Sequence, residues 1–335
     1  MSPTAGPREL VDQALRAALD RLDPHTRHCC GYHLGLWDAD GRSLPPARHG
    51  GKALRPTLAL LSAQAAGVPV EQGVPAAVAC ELVHNFSLLH DDVIDGDTER
   101  RHRPTVWARF GVAEAILAGD AMLTLALEVL GDVGSATAPA AVSRLSATVR
   151  RLIAGQSADV AFEKRDDVTL PECLAMAADK TAALFSCSAS LGAVLAGAPE
   201  HVVEGLATYG DHLGMAFQLT DDLLGIWGDQ AVTGKPVLSD LRARKKTVPV
   251  VVALSSNDPP GRQLRELYAE PIPLTGPDLE RAAHLVESAG GRTWTQAEVD
   301  RQISAAVEVL DGLDLPPVVH AELTALAHRL RVRDH

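Results

Sequence analysis

The chain has 335 residues, of which 46% are hydrophobic and only 4% aromatic, and its formal net charge is −12. That length allows two ordinary domains or one large one, and abundant Ala and Leu with few aromatics favour helices over a β-sandwich or barrel. The acidic balance, with basic residues in short groups, excludes an extended nucleic-acid-binding face.

The segment Met1 to Pro7 lacks a signal-type apolar stretch and leads into a helical pattern that runs from near Pro7 to about Asp23. Pro24 to Gly51 reads as loop-rich, with Asp38-Ala39-Asp40-Gly41 and Pro45-Pro46 as turn signals. From Leu54 onward, apolar residues recur at three- and four-residue spacing almost to the end. Breaks fall near Gly67–Pro69, Gly131–Pro139, Asp166–Pro171, Gly197–Pro199, Gly228–Ser239, Asn257–Gly261 and Pro271–Pro277. Glu114, Asp120 and Glu128 interrupt the most apolar run, Val112 to Val133, so no membrane span is expected. Val248-Pro249-Val250-Val251-Val252 is the main β-like stretch, and its proline argues against a central strand. The expectation is an all-α chain forming one domain over 1–335, with an N-terminal helix and loop over 1–30 and a helical core over 31–335. The five cysteines follow no disulfide or zinc spacing, and Cys29-Cys30 beside His25 and His28 lacks the spacer of a ligand pair. Free thiols in a reducing cytoplasm are expected.

Two acidic segments stand out. Phe86-Ser87-Leu88-Leu89-His90-Asp91-Asp92-Val93-Ile94-Asp95 and Phe217-Gln218-Leu219-Thr220-Asp221-Asp222-Leu223-Leu224 each place paired aspartates at the end of an apolar helical stretch. Desolvated carboxylates are costly without a neutralising cation. Asp91 and Asp95 share a helix face, roughly 6 Å apart along the axis, and can share hard cations. Magnesium suits such a pair because it takes few carboxylates and completes its shell with water and phosphate oxygens. A solvated acidic helix end is the alternative for either cluster alone.

Basic groups accompany both. Gly50-Gly51-Lys52-Ala53-Leu54-Arg55-Pro56 is a glycine-opened junction where Lys52 and Arg55 can reach one phosphate. Arg100-Arg101 follows the first acidic cluster. Gly234-Lys235-Pro236, and then Asp240, Arg242, Arg244, Lys245, Lys246 and Thr247, follow the second. Two acid-plus-base units point to diphosphate binding, with arginine giving bidentate contacts and lysine point charge.

With these motifs in order, the chain resembles the all-trans polyprenyl (isoprenyl) diphosphate synthases from about Tyr32 to the end. The carriers are Asp91-Asp92-Val93-Ile94-Asp95, then Arg100-Arg101 and Arg103-Pro104-Thr105, Gly155-Gln156, Lys180-Thr181 and Gln218-Leu219-Thr220-Asp221-Asp222. The resemblance implies a large helical bundle around a central apolar cavity, usually a homodimer. It implies about three magnesium ions held by Asp91, Asp95 and Asp221 on an allylic diphosphate. Asp92 and Asp222 belong to the same catalytic motifs, and Gln156 to the substrate site. It further implies Arg100, Lys180, Lys235 and Lys245 on the allylic diphosphate. Lys52, Arg55, His84 and Arg101 would take isopentenyl diphosphate, with Gln218 and Thr181 near the developing allylic cation. No side-chain nucleophile is required. Three positions depart from the family pattern: Ala53 stands at a position often basic, Gly225 replaces the last aspartate of the second motif, and Leu238 replaces a frequent glycine.

Product length is read at Phe86 and Ser87. A bulky residue five before the first aspartate, a small one four before it, and no insertion in the motif imply geranylgeranyl diphosphate, with farnesyl diphosphate the alternative. A class I terpene cyclase would carry a different second metal motif and would not need Lys52 and Arg55. A metal phosphohydrolase would need more histidine ligands than His84 and His90. A non-catalytic partner subunit would lose motif aspartates that this chain keeps.

Overall fold

The computed structural model describes residues 6–44, 54–228, 238–269 and 274–331. It is all-α, as the composition leads one to expect. Its helices are α1 (Pro7–Leu19), α2 (Pro24–His33), α3 (Leu54–Ala65), α4 (Val74–Asp95), α5 (Val106–Phe110), α6 (Val112–Gly131), α7 (Ala138–Phe162), α8 (Leu170–Ala177), α9 (Ala183–Leu195) and α10 (Glu200–Trp227). They continue as α11 (Ser239–Arg242), α12 (Val248–Ser255), α13 (Pro259–Ala269), α14 (Pro277–Ser288), α15 (Gly291–Asp311) and α16 (Pro317–Arg331). A two-stranded antiparallel ribbon, β1 (Glu99–Arg100) with β2 (Arg103–Pro104), is the one sheet among the described residues. A π-helical turn, Ala178–Ala182, joins α8 to α9.

Two compact units share the chain. One comprises Met1–Val149, Cys187–Ala207 and Leu313–His320, the other Arg150–Ser186, Thr208–Gly312 and Ala321–His335. In the first, α4 packs against α3, α6 and α1, and α2 lies on α6 and α5. Leu82, Val83, Phe86 and Leu89 line the buried side of α4. In the second, Ile226, Leu241, Val250, Leu264, Tyr268, Leu279 and Val286 share one apolar core.

Two elements differ from the sequence reading. Pro24–His33 is helical, because the Asp23 carboxylate caps it by accepting from the His25 and Thr26 amides (3.0 and 3.1 Å) and Pro24 fits the first turn. Val248–Ser255 is also helical. Its proline lies in the first turn, where the missing N–H costs nothing, and Val248, Val250, Val251 and Ala253 are buried. The first acidic motif closes its helix as its place at the end of the apolar stretch implies: α4 ends at Asp95, and Gly96 adopts a left-handed φ of 69° to cap it.

Burial along α4 grades the cost of truncation. Leu82 has no exposed surface, whereas Ile94 is half exposed. Leu82→Ala should cost about 2–5 kcal/mol and Ile94→Ala less than about 0.5, measured by urea unfolding.

Candidate active site

The first acidic motif occupies the last turn of α4. Carboxylates there face the negative end of the helix dipole as well as one another. Asp92 is almost fully buried, Asp91 is partly buried and Asp95 is exposed. Arg100 at the end of β1 turns back onto this motif, with Nε and Nη2 both 2.7 Å from Asp92 Oδ1. Arg100, assigned from sequence to the allylic diphosphate, is thus seated on a motif carboxylate. Such a charge-assisted fork offsets the burial of Asp92.

A cationic group gathers beside it in the same unit. Burial first, and then the positive charges of Arg55, Arg101, Arg100 and His33, hold the His84 imidazole well below its ordinary pKa. His33 is pushed down to about 3 by burial and by Arg101 and Arg100. Both histidines are therefore neutral at pH 7, and His84 can serve as a hydrogen-bonding group without adding charge. Arg55, His84, Arg100 and Arg101, separated in sequence, act on one locality. Lys52 lies outside the described residues.

Phe86 is buried and meets His90 edge-on, with ring centroids 4.9 Å apart. Ser87 donates its hydroxyl to the His84 carbonyl at 2.8 Å, so this small side chain stays against its own helix.

In the second unit, the π-helical turn carries Lys180 and Thr181. π-turns insert a residue and re-aim side chains, and they recur at functional sites. Lys180 Nζ lies 2.5 Å from Asp159 Oδ2. A Cβ at Gly155 would fall 2.3 Å from the Lys180 nitrogen, so only glycine lets α7 approach this turn. Thr181 donates to Gln218 Oε1 (2.5 Å), Gln218 Nε2 donates to Asp222 Oδ1 (2.7 Å), and the Val248 amide donates to Asp222 Oδ2 (3.0 Å). This chain joins three separate segments and fixes the second acidic motif. Both amide ends of Gln156 are buried with no hydrogen-bond partner among the described residues.

Asp221 is partly buried. The departure at Gly225 has a steric reason: a Cβ there would lie 2.0 Å from Asp240 Oδ2. A side chain at 225 requires the Asp240 carboxylate to swing aside. Lys245 is partly buried, with its amide on the Asp240 carbonyl at 2.9 Å. Arg244 holds a left-handed φ of 51° and donates to the Tyr268 carbonyl at 3.0 Å. Lys235 lies outside the described residues.

Sequence reasoning gave no role to Asp159, the partner of Lys180, or to Asp240. Asp159 follows Gln156 by three residues, a helical spacing that could have flagged it. Nothing in the sequence marks the π-turn.

Among the described residues, no three carboxylate, imidazole or thiol side chains converge tightly enough to hold a metal alone. The donors on offer are few and carry oxygen, which fits magnesium, since that ion fills its shell with water and phosphate. It does not fit zinc, which takes closed nitrogen and sulfur sets. No helix among the described residues is long and apolar enough to cross a membrane.

Residues 46–279 match the family model described as polyprenyl synthetase. Over 323 residues the chain is 52% identical to a (2E,6E)-farnesyl diphosphate synthase of Mycobacterium tuberculosis, covering 96% of this chain and 89% of that protein. It is 44% identical over 307 residues to a geranylgeranyl diphosphate synthase of the same species, covering 91% and 87%. The crystal structure of a polyprenyl synthetase from Streptomyces coelicolor A3(2) is similar with a TM-score of 0.91 and 49% identity, over 97% of this chain and 98% of that one.

Burial pushes Asp222 up to about 7, against the Val248 and Gln218 hydrogen bonds that lower it. The folded chain then keeps this proton between about pH 4 and 7, where the unfolded chain has lost it. Stability should fall as pH rises through that window, by an amount on the order of a few kcal/mol. In metal-free buffer, urea midpoints of wild type should drop from pH 4 to 7 more steeply than those of Asp222→Asn.

Proposed function

Because the chain belongs to the polyprenyl synthetase family, we propose that it is a short-chain trans-prenyltransferase that condenses isopentenyl diphosphate with an allylic diphosphate. The observation that carries this reading is the cationic group of Arg55, Arg100 and Arg101 around the neutral His84, set beside the acidic end of α4. Acid for metal and base for phosphate in one locality suit a substrate that arrives as a metal-bound diphosphate.

In this reading Asp91, Asp95 and Asp221 hold about three magnesium ions. When bound, magnesium supplies the positive charge that stabilises the departing pyrophosphate. Lys180, Lys235, Lys245 and Arg100 bind the allylic diphosphate, and Lys52, Arg55, His84 and Arg101 bind isopentenyl diphosphate. Asp92 orients Arg100, and Asp222 orients Gln218. The allylic carbon–oxygen bond breaks, the double bond of isopentenyl diphosphate attacks the cation, and a proton leaves to restore the alkene. Thr181 and Gln218 turn oxygen toward that cation, and an apolar cavity keeps water from quenching it. The Gln156 amide completes the substrate site.

Phe86 and Ser87 support a geranylgeranyl product, with Phe86 as part of the floor against which the chain grows. Farnesyl diphosphate is the second reading, favoured by the 52% identity to a farnesyl diphosphate synthase. We also take the working form to be a single-domain homodimer in the cytoplasm. Val112, Ile116 and Leu117, exposed on α6, support association through that helix. The buried free thiols of Cys29, Cys30, Cys80, Cys173 and Cys187 suit a reducing compartment.

Mass spectrometry of products from dimethylallyl, geranyl and farnesyl diphosphate, each with isopentenyl diphosphate and magnesium, tests the reading. Geranylgeranyl diphosphate from all three is the expected outcome, and Asp91→Ala should abolish it while leaving the circular dichroism unchanged. Farnesyl diphosphate accumulating, with farnesyl diphosphate refused as primer, would favour the second reading. A hydrocarbon formed without isopentenyl diphosphate would overturn the class. In sedimentation runs, Leu117→Glu should shift the protein from dimer toward monomer.

A further inference from the structure

We infer that Arg103 and the segment from Gly31 to Trp37 position the Arg100–Arg101 hairpin, giving the stretch ahead of the family match a part in isopentenyl diphosphate binding. The inference rests on the reading of Arg101 as an isopentenyl diphosphate ligand.

The hairpin is unusual in its turn. Glu99 pairs with Pro104 and Arg100 with Arg103, leaving Arg101 and His102 as a two-residue loop with φ of 53° and 59°. Glycine and asparagine favour such positions. A non-glycine pair there costs free energy that surrounding contacts must offset, and this kind of strain gathers at ligand clamps.

Those contacts come from both sides. On β1, Arg100 is fixed by Asp92. On β2, the Arg103 guanidinium donates from Nη1 to the Tyr32 carbonyl (3.2 Å) and from Nη2 to the Trp37 carbonyl (3.1 Å), and it lies 4.3 Å above the Tyr32 ring. Tyr32 returns a bond from its hydroxyl to the Pro104 carbonyl at 2.8 Å. The Trp37 carbonyl is itself held in place. The indole Nε1 donates to the His28 carbonyl at 2.9 Å, and the ring lies on the bare backbone of Gly31, where a Cβ would fall 1.9 Å from it. Gly31, Trp37 and Arg103 thus form a brace ending one turn residue away from Arg101.

Arg103 spends its donors on backbone carbonyls, so it acts through its neighbour and is a positioning residue. A lysine keeps the charge but cannot bridge two carbonyls with a planar fork. Residues 28–37 also precede position 46, where the family match begins, so the match assigns them nothing.

The test uses the full chain with Arg103→Lys, Tyr32→Phe and Gly31→Ala. Arg103→Lys should raise KM for isopentenyl diphosphate about tenfold, with kcat and KM for the allylic substrate within about twofold. Tyr32→Phe, which loses one hydrogen bond, should raise it about threefold. Gly31→Ala, with no polar group changed, should act in the same direction. Hydrogen exchange at the amides of 99–105 should quicken in all three, whereas a merely structural role would lower the unfolding midpoint without moving this KM. Should Arg103→Lys or Gly31→Ala fail to fold, Tyr32→Phe alone decides. Arg101→Ala separates the two claims. A KM for isopentenyl diphosphate unmoved by Arg101→Ala overturns the binding role. A KM raised by Arg101→Ala but not by Arg103→Lys or Tyr32→Phe overturns the brace.

Discussion

Desolvated carboxylate is the constraint around which both acidic motifs are arranged. Asp92 and Asp222 are each nearly shut off from water, and each meets that cost differently. Asp92 receives a guanidinium fork from Arg100, which ties the end of α4 to the ribbon behind it. Asp222 receives only neutral donors, the Gln218 amide and the Val248 N–H, so burial wins and its pKa rises. One motif is thereby fixed by charge and the other by a chain of neutral hydrogen bonds. Neighbouring Asp91, Asp95 and Asp221 keep more contact with solvent.

The cationic locality follows the opposite logic. Arg55, Arg100 and Arg101 crowd one locality, and His33 and His84 give up their protons there, through burial first and the neighbouring guanidiniums second. Neutral imidazoles among guanidiniums keep the patch hydrogen-bonding while capping its charge. An arriving diphosphate would complete the balance, much as magnesium would complete that of the aspartates.

What could be read from the sequence follows from what is local. The helical class, most breaks and both aspartate motifs rest on periodicity and composition, which α4 and α10 preserve. The spacing of Asp91 and Asp95 needed only helix geometry. Reading failed where tertiary packing overrode a local signal. Pro24 opens a stretch that reads as loop and Pro249 lies in one that reads as β-like, yet each sits in the first turn of a helix, where proline is at home. The left-handed Arg101 and His102, the π-turn at Lys180 and the Asp159 partner depend on contacts between distant segments, and no window of residues carries them. Gly225 is a plain departure in the sequence, and the Asp240 carboxylate beside it is a neighbour that only the fold supplies.

That last pair bears on how such a chain can change over generations. Positions 225 and 240 compete for one volume, so their substitutions are not independent. An aspartate gained at 225 would have to displace the Asp240 carboxylate from its present rotamer, so what it costs depends on the residue at 240. The second acidic motif is therefore epistatic with a short helix fifteen residues downstream. Changes in its acidic pattern are therefore weighed against the side chain that position 240 carries at the time.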